Sequence, residues 1–257
     1  MRSVRFLFAL LLASLSFPSI AAEEAAAPQP QVVMIETNPW LMVMGSDSPA
    51  FALYDNGDLI YARGDAYRFV HLDAEARGKL LASMNLADAA AHQGNIETTD
   101  ATDQPENLFF VFDRERPWAL RVYGGMAPSG TDRGGSPVEA AVPAEVQRLY
   151  DTIATFDRAD ATIWLPAKVE VMIWSYDYAP DPSIHWPVGW PGLDDTDTRK
   201  RADDSFSLYV PSAMLPQLRD FLATRKERGA VEIGGKKWAV SLRYPFPGEE
   251  KWMGGGE

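Results

Sequence analysis

In "PAFALYDNGDLIYARG" two short apolar runs flank Asn56 and Gly57. Asn-Gly supplies the positive φ angles of a two-residue hairpin turn, so the pattern predicts two antiparallel strands. "YRFVHL" reads as a third strand. Asp73 then stands where a helix N-cap belongs, ahead of "AEARGKLLASMN", in which Leu80, Leu81 and Met84 are the expected buried positions. "NLFFVFDRERPWALRVYG" reads as a second hairpin. Its outgoing strand, 108–112, is apolar on both faces, as a covered central strand would be. Its return strand alternates Trp118, Leu120 and Val122 against Ala119, Arg121 and Tyr123.

The clearest helix is "PAEVQRLYDTIATFD". Pro143 suits its first turn, and Val146, Leu149, Tyr150, Ile153 and Phe156 form one apolar stripe. "AKVEVMIWSY" alternates Val169, Val171 and Ile173 as a strand, and "SFSLYV" follows as another. A helix is expected over 213–228, closed by Gly229. The last hairpin, "AVEIGGKKWAVSLRY", turns at Gly234 and Gly235. Strand, helix and hairpin thus occur twice, from "YRFVHL" to "WALRVY" and from "SFSLYV" to "WAVSLRY", a weak repeat consistent with two similar halves packed together. Antiparallel hairpins interleaved with about three helices point to an α+β fold rather than a doubly wound parallel sheet.

The organisation along the chain follows. Residues 1–22 carry Arg2 and Arg5, a short apolar run and small residues at Ser19, Ala21 and Ala22, the pattern of a cleaved secretory signal peptide. The apolar run is short for a membrane span. Residues 23–30 read as a flexible lead-in and 31–124 as a first α+β half. Residues 125–142 form a Gly/Pro/Ser-rich loop, 143–253 a Trp-rich second half, and 254–257 a disordered tail. A periplasmic or secreted location is expected, with no membrane span after signal cleavage.

Composition narrows the chemistry. The chain has no cysteine, which excludes disulfides, thiolate catalysis and cysteine-bound metals. Its formal charge is −12, or −14 once the two signal arginines are removed, and no basic stripe offsets it. Such a surface repels phosphate backbones, so nucleic acid is not an expected partner. With 46 % hydrophobic residues the chain is globular. None of the common hydrolase, zinc-protease, P-loop or dinucleotide motifs is present. No residue is assigned a catalytic role and no cofactor is expected.

The most unusual stretch is "HWPVGWPGLDDTD", residues 185–197. Trp186 and Trp190 each precede a proline, which keeps them out of the α region and stiffens the loop. Two readings stand. Burying the indoles as a core plug is favoured by transfer free energy, whereas displaying them would make a binding surface with His185. The acids around them, Asp177, Asp181, Asp194, Asp195, Asp197, Asp203 and Asp204, could supply oxygen ligands to calcium, with Asp194, Asp195 and Asp197 the candidates, or simply form a solvated loop. His71 and His92 read as ordinary hydrogen-bonded side chains. The expected function is a non-enzymatic, envelope-associated binding or interaction module, its partner an envelope protein or glycan. The alternative is a carboxylate-dependent hydrolase of an envelope polymer, using Asp194, Asp195 and His185.

Overall fold

The computed structural model describes residues 28–113, 116–131 and 140–253. The expected signal peptide at 1–22, residues 23–27 of the expected lead-in, 132–139 of the central loop and residues 254–257 lie outside the described residues. The first layer is built from β1 (Pro30–Thr37), β2 (Phe51–Tyr54), β3 (Asp58–Arg63), β4 (Ala66–His71), α1 (Ala74–Met84), α2 (Leu86–Ala89), β5 (Gly94–Glu97), β6 (Glu106–Val111), β7 (Trp118–Tyr123), α3 (Ala144–Ala154) and β8 (Thr162–Trp164). The second comprises β9 (Lys168–Ser175), β10 (Asp181–His185), β11 (Arg199–Ala202), β12 (Ser205–Pro211), α4 (Leu215–Ala223), β13 (Gly229–Ile233) and β14 (Lys236–Arg243), followed by a short α5 (Glu250–Met253).

The fold is α+β with two sheets, ordered β5-β7-β6-β1-β2-β3-β4-β8 and β10-β13-β14-β9-β12-β11. Pairing is antiparallel except at two edges, where β5 joins β7 and β10 joins β13 in parallel. The halves share their architecture but not their strand order. In the β6–β7 hairpin the outgoing strand β6 lies inward against β1, whereas in the last hairpin the return strand β14 lies inward against β9.

The hairpin turns fall where the pattern places them. Gly57 has φ +93°, and a Cβ there would lie 2.1 Å from the Leu72 carbonyl oxygen. Gly57→Ala is therefore expected to destabilise the protein by about 2–3 kcal/mol, from left-handed strain and overlap with backbone. A lower urea midpoint with an unchanged slope would register it. Asp73 caps α1 by accepting the Ala76 amide at 2.8 Å. Gly229 plays a different part from the expected one. The helix ends early, at Ala223, and Gly229 begins β13, where a Cβ would meet the Pro182 carbonyl oxygen at 2.8 Å. It is needed for close approach of β10, not as a cap.

One face of the first sheet packs on α1 and α3 through Val32, Met34, Phe51, Leu53, Leu59, Phe109, Leu120 and Val122. The buried stripe of α3, Val146, Leu149, Tyr150 and Ile153, belongs to this core. Arg63 on β3 donates to the Ala154 carbonyl at 2.8 Å and also to that of Phe156, satisfying helix-end acceptors and locking α3 to the sheet. β8 pairs with β4 in the same sheet. Residues 144–164 thus contribute to the first layer, where the apolar face of α3 has its partner.

The second sheet buries Val169, Val171, Ile173, Leu208, Val210, Val231 and Trp238 against Leu215 and Leu218 of α4. Two segments cover the remaining faces. The C-terminal arm lays Phe246 and Trp252 on Val33, Ile35, Ala52, Tyr54 and Ile60 of the first sheet. The 38–50 loop sets Val43 on Met172 and Ala239 of the second, and its amide donates to Ser241 Oγ at 3.0 Å.

Candidate functional site

The 185–197 loop closes over α4. Trp186 donates its backbone amide to Glu232 (3.0 Å) and its indole to the Pro191 carbonyl (3.0 Å). Its ring meets Trp190 at 5.2 Å and Phe221 of α4 at 5.6 Å, both edge to face, and Trp190 meets Phe221 at 5.6 Å. Both indoles are half-buried against the second core. Gly189, at φ +86°, makes the bend that folds the second ring back. His185 points away and pairs with Glu232 at 3.1 Å.

The acids that follow do not converge. Asp195 accepts the Asp197 amide at 3.0 Å, Asp197 pairs with Lys168, and Asp194 is exposed. Asp181 receives the Arg228 amide and Asp203 pairs with Lys200. Among the described residues no three His, Cys, Asp or Glu side chains form a group able to hold a metal ion. His71 pairs with Asp58 at 2.8 Å and His92 with Glu145 at 3.4 Å.

Aromatic side chains are bare elsewhere. After β1 the chain turns at Asn38 and Pro39: the Leu41 amide reaches the Asn38 carbonyl, and the Trp40 amide donates to Asn38 Oδ1 at 2.9 Å. Asp47 accepts the Asn38 amide at 2.9 Å and closes the base of the loop. Burial pushes the Asp47 carboxyl above its ordinary range, against the lowering effect of that hydrogen bond. With Val43 fully buried and Asp47 fixed, the loop leaves Trp40 outside, 75 % exposed. Opposite it, β9 runs past the sheet. The Tyr176 amide still reaches the Lys237 carbonyl, then a turn to Ala179 swings Tyr178 out, 84 % exposed. The Tyr176 and Tyr178 rings stand 5.8 Å apart at 81°. The Ser175 amide donates to the Asp204 carbonyl and brings that turn alongside. Trp40, Leu41, Met42, Trp174, Ser175, Tyr176, Tyr178, Asp204 and Ala239 line the resulting groove, about 540 Å³.

No protein-family model, curated protein or solved structure matches this chain.

Two of the other concavities can be set beside the groove. One, about 550 Å³, lies between β8 and α4. Its rings are already packed on one another: Tyr67 meets Trp164 at 6.0 Å and Tyr244 at 5.2 Å, and burial pushes the Tyr67 hydroxyl up to about 12. The other, about 360 Å³, is polar, with Lys168, Asp197, Arg199, Tyr209 and Glu249. Its carboxylates are paired with cations, Asp197 with Lys168 and Glu249 with Arg243. Among the described residues, the large aromatic side chains left exposed are Trp40 and Tyr178, both at this groove. Leaving each ring bare forgoes roughly 2–3 kcal/mol of transfer free energy.

Trp40, Tyr176 and Tyr178 are not among the site residues singled out in the sequence. A signal was available: "NPWLMVM" puts five apolar residues after an Asn-Pro turn with neither strand nor helix period. An aperiodic apolar run has no single face to bury, so part of it must be displayed.

Proposed function

We propose that this chain is an exported, non-enzymatic binding module of the cell envelope, and that it recognises its partner through the Trp40 groove. The signal-like segment at 1–22 supports export. The observation that carries the binding role is the pair of bare aromatic side chains, Trp40 and Tyr178, facing the groove walls of Trp174 and Tyr176. Exposed aromatic patches of this kind mark interaction surfaces, because a rigid ring gains much buried area for little lost freedom. The 185–197 loop, with its indoles turned inward, serves as scaffold in this reading.

A thermal-shift screen against envelope glycans and envelope-protein peptides tests it. A ligand that binds the native state raises Tm. The Trp40→Ala/Tyr178→Ala double variant should keep the melting temperature of the unliganded protein within about 2 °C, since both side chains are exposed, and lose the ligand-induced shift. An undiminished shift in that variant would rule out the groove as the recognition surface.

A further inference from the structure

The groove's lining is chemically one-sided. Four aromatic side chains, Trp40, Trp174, Tyr176 and Tyr178, share it with a single ionisable group that is not a phenol, Asp204. No lysine or arginine lines it. Lys237, whose carbonyl accepts the Tyr176 amide, is not part of the lining. The Asp204 carboxylate makes no hydrogen bond or ion pair among the described residues. Ser175 Oγ is engaged with Asp177 at 3.2 Å, which places a second carboxylate beside the groove. No guanidinium sits over any of these four rings among the described residues; the two cation–π contacts there involve Tyr123 and Tyr209.

An aromatic face carries negative quadrupole potential and attracts a cation placed over it, most strongly for tryptophan. The Tyr176 and Tyr178 rings meet edge to face at 81°, so their π faces point in two directions. A polyhydroxylated ligand would need several donors and acceptors in fixed positions, whereas this lining offers chiefly π faces and one carboxylate. We infer that the Trp40 groove is a cation site, selective for a quaternary or methylated ammonium group on the partner. This ligand class rests on the groove being the recognition surface.

Calorimetric titration of the full chain with choline, and in parallel with 3,3-dimethyl-1-butanol, its neutral isostere, separates the two ideas. Choline should bind at least tenfold more tightly than the isostere. Trp40→Ala should weaken choline binding at least tenfold, and Asp204→Asn severalfold, with melting temperatures unchanged. Equal binding of choline and the isostere, both lost in Trp40→Ala, would overturn the cation assignment and leave the groove as an apolar binding surface. Choline binding indifferent to Trp40→Ala and Asp204→Asn would overturn it as well. So would absence of choline binding, and the glycan and peptide screen then decides separately whether the groove binds at all.

Discussion

Arg243→Met is expected to destabilise the protein by about 3–5 kcal/mol, because it strands two carboxylates in a site built around a guanidinium. Arg243 is 1 % exposed and lies opposite Glu170 in the β14–β9 register. It donates to Glu170 at 2.6 Å and to both oxygens of Glu249, at 3.1 and 2.6 Å. Ser207 Oγ donates to the other oxygen of Glu170 at 2.5 Å, and the Phe246 amide donates to Glu249. Burial alone would lower the guanidinium's proton affinity, but the two carboxylates outweigh it and the net shift is upward. Among the described residues, removing the cation leaves Glu170, 4 % exposed, with Ser207 as its side-chain hydrogen-bond donor. The second carboxylate belongs to the C-terminal arm, so the variant should also loosen Phe246 and Trp252 from the first sheet. Adding Glu170→Gln to Arg243→Met should recover part of the loss, since the penalty is mostly an unpaired buried charge rather than a lost attraction. Urea unfolding of the two single variants and the double variant measures the coupling. A loss below about 1 kcal/mol for Arg243→Met would mean that water reaches the site and solvates the carboxylates.

That ion network illustrates what a sequence conveys and what it withholds. "AKVEVMIWSY" announces a strand by alternation, yet Glu170 within it looks like an ordinary outward position. Its burial depends on register with β14 and on a chain segment that returns 79 residues later. Local signals translated directly: Asn56 with Gly57, Gly234 with Gly235, the Asp73 cap and the α3 stripe each have a cause within a few residues. β1 has the same both-faces-apolar run as β6, with Val32, Val33, Met34 and Ile35 buried alternately on the two faces, but no hairpin turn beside it marks it as a strand. A strand covered on both sides shows no period. The short edge strands β5, β8, β10 and β11 take their identity from a neighbouring strand more than from their own composition, so tertiary pairing decides them. For α3 the stripe is legible locally, but which sheet it faces is decided by tertiary packing.

Trp238→Ala should produce a loss of about 4–5 kcal/mol, comparable to the arginine but by a different mechanism. The indole is 1 % exposed, donates to the Ile233 carbonyl at 3.0 Å and meets Phe206 edge to face at 5.5 Å. Truncation leaves a cavity between the second sheet and α4 that the rigid strands cannot collapse to fill. Trp238→Phe should lose less, roughly 2 kcal/mol, mainly from the abandoned carbonyl and the missing ring volume. The comparison with other tryptophans carries the functional argument. Trp186, half-buried against Phe221, should lie between the extremes, whereas Trp40→Ala should stay within about 0.5 kcal/mol of the parent, as exposed positions do. Chemical unfolding of the three alanine variants under one set of conditions gives the order directly. Were Trp40 to cost as much as Trp186, its ring would be holding the 38–50 loop in place, and its exposure would no longer require a partner.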